Sequence, residues 1–254
     1  MKIGIAMPCY DRESQLKLTL EKMSQSKHKD WHLTIVDDAS PTPLPPSLLA
    51  DLPATLISIP PSQKTWINPL IPTNMAIAHL LKNYTPDIII IQCAECYYVG
   101  DVLSYAAAYV TDKNYISFGC LSFERTDLVF PDDQLIEMAK TLKEDRKRMW
   151  WYNHPKHRPA ALEWCTAMST STMLKLNGHD ERFKNAMGRA DRDIVRRAKL
   201  LGRRVEITTN PFVVHQFHSR HYCRTFPTNK SLYDGKIKKE KNTRAHHIIT
   251  EDFS

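Results

Sequence analysis

One stretch limits the possible folds more than any other: PDIIIIQCAECYYVGDVL, residues 86–103. Four consecutive isoleucines, Ile88 to Ile91, show no polar alternation, which is the pattern of a strand buried on both faces of a sheet with helices on each side. The run stops at Gln92-Cys93-Ala94-Glu95. Ligands of open α/β sheets lie beyond the carboxyl ends of the strands, so such a strand delivers the Glu95 carboxylate into a site. Glu95 is therefore the first candidate metal or substrate ligand.

The flanking sequence supplies the rest of that sheet. Lys2 to Met7 reads as a strand, and Arg12 to Ser26 as a helix with Leu16, Leu20 and Met23 at helical spacing. A second strand, Trp31 to Val36, ends in Asp37-Asp38-Ala39-Ser40, so further carboxylates arrive at the same edge. The Pro-rich stretch 41–61 contains a weaker strand, Ala54 to Ile59. Asn68 to Lys82 is a helix with Ile71, Met75, Ala78 and Leu81 on one face. This order, β, α, β, β, α, β, predicts a mostly parallel central sheet, mixed further on and flanked by helices on both faces.

Beyond it the pattern predicts helices over Gly100–Tyr109, Gln134–Lys143, Thr166–Leu176 and Ala190–Leu201, and strands over Tyr115–Cys120, Arg204–Ile207 and Phe212–His215. Asn177-Gly178 suits a left-handed cap on the third of these helices. The segment RKRMWWYNHPKHRP, 146–159, has little periodicity and reads as a loop walling a site or as an exposed basic connection. The lysine-rich run after Tyr233 reads as a solvated or mobile tail. No internal repeats are present.

A chain of 254 residues with 42% apolar content can bury the core of one large α/β domain. No apolar run approaches the roughly 20 residues of a membrane span, and the N-terminus lacks a secretory pattern, so a soluble cytoplasmic protein is expected. Six thinly spread cysteines are expected to be reduced thiols there. The net charge of +7 suggests anionic partners without distinguishing among them. Only seven glycines occur, with neither GxGxxG nor GxxxxGK[ST]. Phosphate must then be held by metal and cationic side chains instead of a glycine cradle.

Three groups of residues carry candidate chemistry. Asp37, Asp38 and Glu95 at strand ends suit a divalent ion on a diphosphate, which needs few protein carboxylates; the alternative is helix capping. Gly188 to Asp193 places carboxylates at a helix start, either as a general base or as an N-cap. His215, His218 and His221 follow the last strand as metal or phosphate ligands. A competing arrangement joins Cys93 and Cys96 to His215 and His218 in a structural zinc site.

Taken in order, these segments resemble the GT-A glycosyltransferases of family 2. The resemblance rests on Met7 to Arg12, Ile35 to Ser40, Asn68-Pro69 with Asn74, Gln92 to Glu95, Asn177 to Phe183 and Gly188 to Asp193, and it runs from about residue 2 to residue 220. Asn177-Gly178-His179-Asp180-Glu181-Arg182-Phe183 is similar to the family's Gly-Gly-Phe-Asp-Glu-Arg-Phe segment. The resemblance implies that Pro8, Tyr10 and Arg12 line a nucleotide pocket, that Asp37 bonds the base, and that Asn74 and Ala94 lie on the donor side. It makes Glu95 the last acid of the metal motif, with His215 or His218 completing the site. It makes Asp191 the general base and sets Asp180 and Glu181 beside the acceptor.

Two positions depart from the family pattern. Cys93 replaces the first acid of the metal motif, and Ala190 replaces the glutamate of a Glu-Asp pair.

The implied activity is a metal-dependent, inverting sugar transfer. It would use Mn2+ or Mg2+ and run from a nucleotide-sugar donor, a UDP-sugar first, to a hydroxyl of a glycan or glycoconjugate acceptor. Lys64, Arg189 or Arg220 would assist the diphosphate. Trp150, Trp151 and Trp164 would offer flat surfaces to sugar rings, with Trp164 on the acceptor side, unless they are core residues. A catalytically silent nucleotide- or glycan-binding module is the alternative. Nucleic-acid binding through the basic segments is not expected. The expected division is a GT-A domain over 1–225 and a basic C-terminal tail over 226–254, either mobile or packed on the domain.

Overall fold

A computed structural model describes residues 1–123, 130–141, 149–218, 226–250 and 253. In chain order the elements are β1 (Ile3–Cys9), α1 (Glu13–Ser24), β2 (Trp31–Asp37), β3 (Ala54–Ser58), α2 (Leu70–Asn83), β4 (Ile88–Gln92), β5 (Cys96–Val99) and α3 (Val102–Tyr109). They continue as β6 (Asn114–Phe123), α4 (Asp132–Thr141), β7 (Met149–Asn153), β8 (Cys165–Ser169), α5 (Thr170–Leu176), α6 (Ala190–Leu200), β9 (Arg204–His215) and α7 (Phe226–Gly235).

All nine strands join one sheet in the order β3-β2-β1-β4-β8-β6-β9-β5, with β7 also paired to β6. The first four are parallel to one another. Strand β8 then runs antiparallel between β4 and β6, β9 is parallel to β6, and β5 closes the edge antiparallel to β9. The isoleucine run occupies β4, between β1 and β8, and its side chains divide by alternation. Ile88 and Ile90 enter the core under α1 and α3, while Ile89 and Ile91 enter the opposite core with α2, α5 and α6. Burying each such side chain contributes about 1.5–3 kcal/mol, which fixes the register. A third core joins Tyr97, Leu121, Trp151, Phe212 and Val214 to Leu135 of α4.

The structure departs from the sequence expectation where elements are short. Residues 166–169, expected to begin a helix, belong with Cys165 to β8, and all five residues of the strand are buried. The helix starts only at Thr170, where the Ser169 hydroxyl accepts the Thr172 N–H at 3.2 Å. Periodicity cannot separate five buried residues of strand from a helical turn, so this boundary is invisible without its sheet partners. Strand β5 went unrecognised for the same reason.

The tryptophan-rich segment is also not wholly a loop. Met149 to Asn153 form β7 against β6, as aromatic residues suit a pleated, half-buried surface. The two expected closing strands are one continuous strand, β9. The expected Gln134–Lys143 helix is α4, and its last two residues lie outside the described residues. So do 146–148 of the basic segment.

Residues 226–250 pack on the domain, the second of the two alternatives for this tail. Tyr233 is buried and Ile237 fully so. Ala245 N–H donates to the Leu176 carbonyl at 2.9 Å, and the Asn229 amide reaches the Phe183 carbonyl at 2.9 Å. Asn177 caps α5 in the left-handed conformation, as expected. Gly178 follows with φ +68°, where a Cβ would sit 2.5 Å from the Asn74 side chain, so only glycine fits. Among the described residues, no helix is long and apolar enough to cross a membrane.

Candidate active site

The carboxyl ends of β1, β2 and β4 open on one cleft of about 1320 Å³. Pro8, Tyr10 and Arg12 line it where β1 ends, and Asp11, with φ 53°, turns the chain there while its N–H donates to the Ser40 hydroxyl at 2.9 Å. Lys64 crosses the Tyr10 ring at 4.2 Å and donates to the Asp38 carboxylate at 3.0 Å. The Trp66 indole donates to the other Asp38 oxygen at 2.8 Å. Burial raises the Asp38 carboxyl, although its bonds from Lys64 and Trp66 pull the other way.

Consecutive strand residues face opposite ways, and this decides between the paired aspartates. Asp38 borders the cleft. Asp37 is buried, and its oxygens accept the N–H groups of Ser40 and Leu44 at 3.0 Å each, so it shapes the loop after β2.

At the end of β4 a tight turn, Cys96 N–H to Cys93 carbonyl at 3.1 Å, projects Glu95. His215 ends β9 opposite Cys96, and the Gln216 N–H donates to the Glu95 carbonyl at 2.9 Å, fixing the two segments together. His215 Nε2 lies 3.5 Å from Glu95 Oε1, and His218 Nε2 lies 3.7 Å from the same oxygen. The ligand atoms of all three residues fall within 4.8 Å of one another. Burial works against the Glu95 charge, but the imidazoles outweigh it and lower the carboxyl to about 2.

Second contacts hold this trio in place. The Tyr152 and Trp164 rings meet His215 edge-on at centroid distances of 5.1 and 5.0 Å. Arg12 Nη2 lies 2.9 Å from His218 Nδ1. Guanidinium only donates, so this bond makes Nδ1 an acceptor and leaves the ring proton of neutral His218 on Nε2.

One carboxylate and two imidazoles form a donor set suited to a divalent ion. The Cys93 thiol takes no part, since it donates to the Glu163 carbonyl at 3.7 Å. The four-ligand zinc arrangement of Cys93, Cys96, His215 and His218 does not assemble among the described residues.

Pro8, Tyr10, Arg12, Asp38, Lys64, Glu95, Trp150, Trp151, Trp164, His215 and His218, all expected at the site, thus border one cleft. The structure places the others elsewhere. Ala94 is buried, and its carbonyl accepts the Thr19 hydroxyl at 2.8 Å. Asn74 is fully buried, donating to the His179 carbonyl at 3.0 Å and to Glu181 at 3.1 Å. Asp180 pairs with Arg182 at 2.7 Å. The Glu181 carboxylate accepts the N–H groups of Ile248 and Ile249 at 2.6 Å each, together with the Thr250 hydroxyl.

Asp191 lies in the first turn of α6, half-buried and not among the residues that border the cleft, and it accepts the Arg192 N–H at 2.8 Å. Burial raises its carboxyl against the opposing charges of Arg192, Arg189 and the cleft residue Arg158. Its neighbour Asp193 is fully buried and paired to Arg196 and Arg197, a structural role. Arg220 and His221 lie outside the described residues.

Sequence reasoning missed Trp66, Phe123 and Phe217 as cleft residues. Trp66 sits in an irregular stretch with no periodic signal; Tyr152 belongs to the 146–159 segment, one of whose two readings is a wall of the site. The indole N–H groups of Trp151 and Trp164, both bordering the cleft, have no partner among the described residues.

No protein-family model and no curated protein matches this chain. Solved structures do. S. aureus TarS 1-349 superposes with a TM-score of 0.60 at 14% identity, covering 85% of this chain and 60% of that one. The same protein in complex with UDP-GlcNAc gives 0.59 at 12% identity, covering 87% and 60%. The mannosyltransferase PcManGT from Pyrobaculum calidifontis, in complex with GDP-Man and Mn2+, gives 0.57 at 16% identity, covering 87% and 58%. The chain spans about 60% of the length of the structures it matches. The fold is that of the GT-A glycosyltransferases.

Proposed function

We propose that this chain is a metal-dependent, inverting glycosyltransferase that moves a sugar from a nucleoside-diphosphate donor, a UDP-sugar first, to a hydroxyl of a glycan or glycoconjugate. Residues 1–225 form its GT-A domain, with 226–250 packed on it. The observation that carries the reading is the Glu95, His215 and His218 donor set at the carboxyl edge of β4, inside a cleft that also holds Arg12, Lys64 and a belt of aromatic rings.

Tyr10 and Pro8 flank the nucleoside. Asp38 and Trp66 hold Lys64 in place, and Lys64 and Arg12 bring positive charge to the diphosphate. Glu95, His215 and His218 hold the ion, Mn2+ or Mg2+, which when bound offsets the charge that builds on the leaving diphosphate. Trp150 and Trp164 offer ring surfaces to sugar or acceptor, while Trp151 belongs to the core beneath them. Asp191 takes the acceptor proton, and burial raises its basicity toward that role. One in-line displacement inverts the anomeric centre. Asp180, Glu181 and Asn74 are left to the scaffold, because their polar atoms are spent on holding residues 179–250.

A thermal-shift series of nucleoside diphosphates and nucleotide sugars, with and without Mn2+, tests the reading, since a native-state ligand raises apparent stability. A metal-enhanced shift is expected, and no shift with any of them overturns it. Asp191→Asn should abolish transfer yet keep donor binding; unchanged turnover removes Asp191 as the base. Ala190 and the turned-away Cys93 thiol favour a second reading, a binding module without catalysis. Donor binding with no product from any acceptor would select it.

A further inference from the structure

The loop that leads into the proposed base is strained and brings no cap of its own. Gly188 and Arg189 both take left-handed backbone, with φ 79° and 74°. A residue with a side chain takes that conformation at a cost, so Arg189 keeps it only where its surroundings impose it. Among the described residues, no side chain caps the start of α6. Yet Asp191 lies in that first turn, and Met187 of the same loop borders the cleft.

The surroundings that impose it come from the C-terminal segment. Asn229 of α7 is buried, and its side-chain nitrogen donates to the carbonyls of Phe183 at 2.9 Å, Gly188 at 3.0 Å and, between them, Ala186. An amide nitrogen carries two hydrogens, so the three carbonyls share them. Asn68 holds the near half of the loop. Its amide donates to the Ala186 carbonyl at 2.8 Å, and the N–H groups of Ile67 and Asn68 donate to the Lys184 carbonyl at 2.9 and 3.0 Å. Of the two asparagines, Asn229 is the one that reaches Gly188, beside the strained Arg189.

We infer that Asn229 is a positioning residue for the acceptor side of the site: through the Phe183, Ala186 and Gly188 carbonyls it sets Met187 at the cleft and Asp191 at the start of α6. This rests on Asp191 as the base of the proposed transfer and deepens that reading, since a side chain outside the 1–225 domain then fixes where the base stands. Asp191 is faced by Arg189 and Arg192 from its own turn, by Arg158 from the β7–β8 connection, by Glu163 ahead of β8 and by Tyr115 of β6. Its burial among them raises its carboxyl, so a shift of the α6 start that exposes it must lower the carboxyl again.

The test uses the full chain with carbon-13 in its aspartate carboxyls, the Asp191 signal being assigned by its loss in Asp191→Asn. In Asn229→Ala the Asp191 carboxyl should titrate at lower pH than in the parent, and amides of residues 184–193 should exchange with solvent about tenfold faster. Glu240→Gln is the control. It weakens the bond to Arg182 that docks the same segment, so it should lower the melting temperature and leave the Asp191 titration in place. If Asn229→Ala does not fold, Asn229→Ser keeps a donor and should move both readouts in the same direction.

An unchanged Asp191 titration in the folded Asn229 variant, or an equal shift in Glu240→Gln, overturns the inference. A shift confined to the Asn229 variant, with unchanged turnover in Asp191→Asn, leaves the positioning standing and removes Asp191 as the base. Turnover abolished in Asp191→Asn, with a titration that Asn229→Ala does not move, does the reverse.

Discussion

Arg12 and His218 show how much a single contact decides. With Arg12 donating to Nδ1, His218 carries its proton on Nε2, the nitrogen that faces Glu95. His218 offers that nitrogen as a ligand only when the proton moves to Nδ1, where it would confront the guanidinium. Arg12 and an ion therefore compete for His218 until a diphosphate draws Arg12 away. Arg12→Ala should bind Mn2+ more tightly than the parent without nucleotide, while its thermal shift with nucleoside diphosphate plus Mn2+ shrinks. Titration of both proteins checks this, and weaker Mn2+ binding by Arg12→Ala would refute the competition. The same scale explains the paired aspartates: adjacent in sequence and alike in chemistry, Asp37 and Asp38 are separated only by the face of the chain on which each emerges.

At the scale of elements, one guanidinium ties residues 226–250 to a buried acid of the domain. Arg182 bonds Asp180 at 2.7 Å and Glu240 at 2.8 Å, and Asp180 is almost fully buried. Burial pushes the Asp180 carboxyl up, but the bonds from Arg182 and its charge win and hold it below the usual range. Bonding to Arg182 also lowers Glu240. A carboxyl lowered on folding stabilises the protein above its unfolded pKa, and that stability fades as pH falls through the folded value. The contribution is therefore full at neutral pH and lost below about pH 4. Arg182→Ala leaves Asp180 buried and uncompensated, so it should cost about 3 kcal/mol at pH 7 by denaturant unfolding. The loss should shrink as unfolding is repeated at lower pH; an equal loss at pH 7 and pH 3 would exclude the ion pair as its source.

For the whole molecule, the segment that sequence marks as a tail behaves as part of the core. Tyr233 and Ile237 join the cluster built on α2, α5 and α6. Glu181, Arg196 and Arg197 bond backbone groups at Ile248, Glu240 and Thr243. Ending the chain at residue 225 removes two buried apolar side chains, at about 1.5–3 kcal/mol each, and strands the charges that cap the segment. The shortened chain should melt at least about 10 °C lower than the full one. Melting within a few degrees of the full chain would show that the segment only decorates the domain.

The sequence alone determined the sheet's centre and its working edge. A run of four isoleucines has one comfortable home, between helices on both faces, and polar residues directly after such strands fall at the carboxyl edge whatever the rest of the fold does. Glu95 and the late histidines were legible on that ground, because local pattern fixes where a strand ends; Arg12 was implied by the family resemblance. Tertiary structure alone decided which of these groups meet. Strand β9 brings His215 to Glu95 across 120 residues of chain, an encounter with no local signal. It also withdrew Asn74, Asp180 and Glu181 from the site. Their polar atoms are buried, and a buried polar group must be satisfied by whatever the fold places beside it. For Glu181 that neighbour is the chain's own C-terminal segment; for Asn74 it is His179 and Glu181, and for Asp180 it is Arg182.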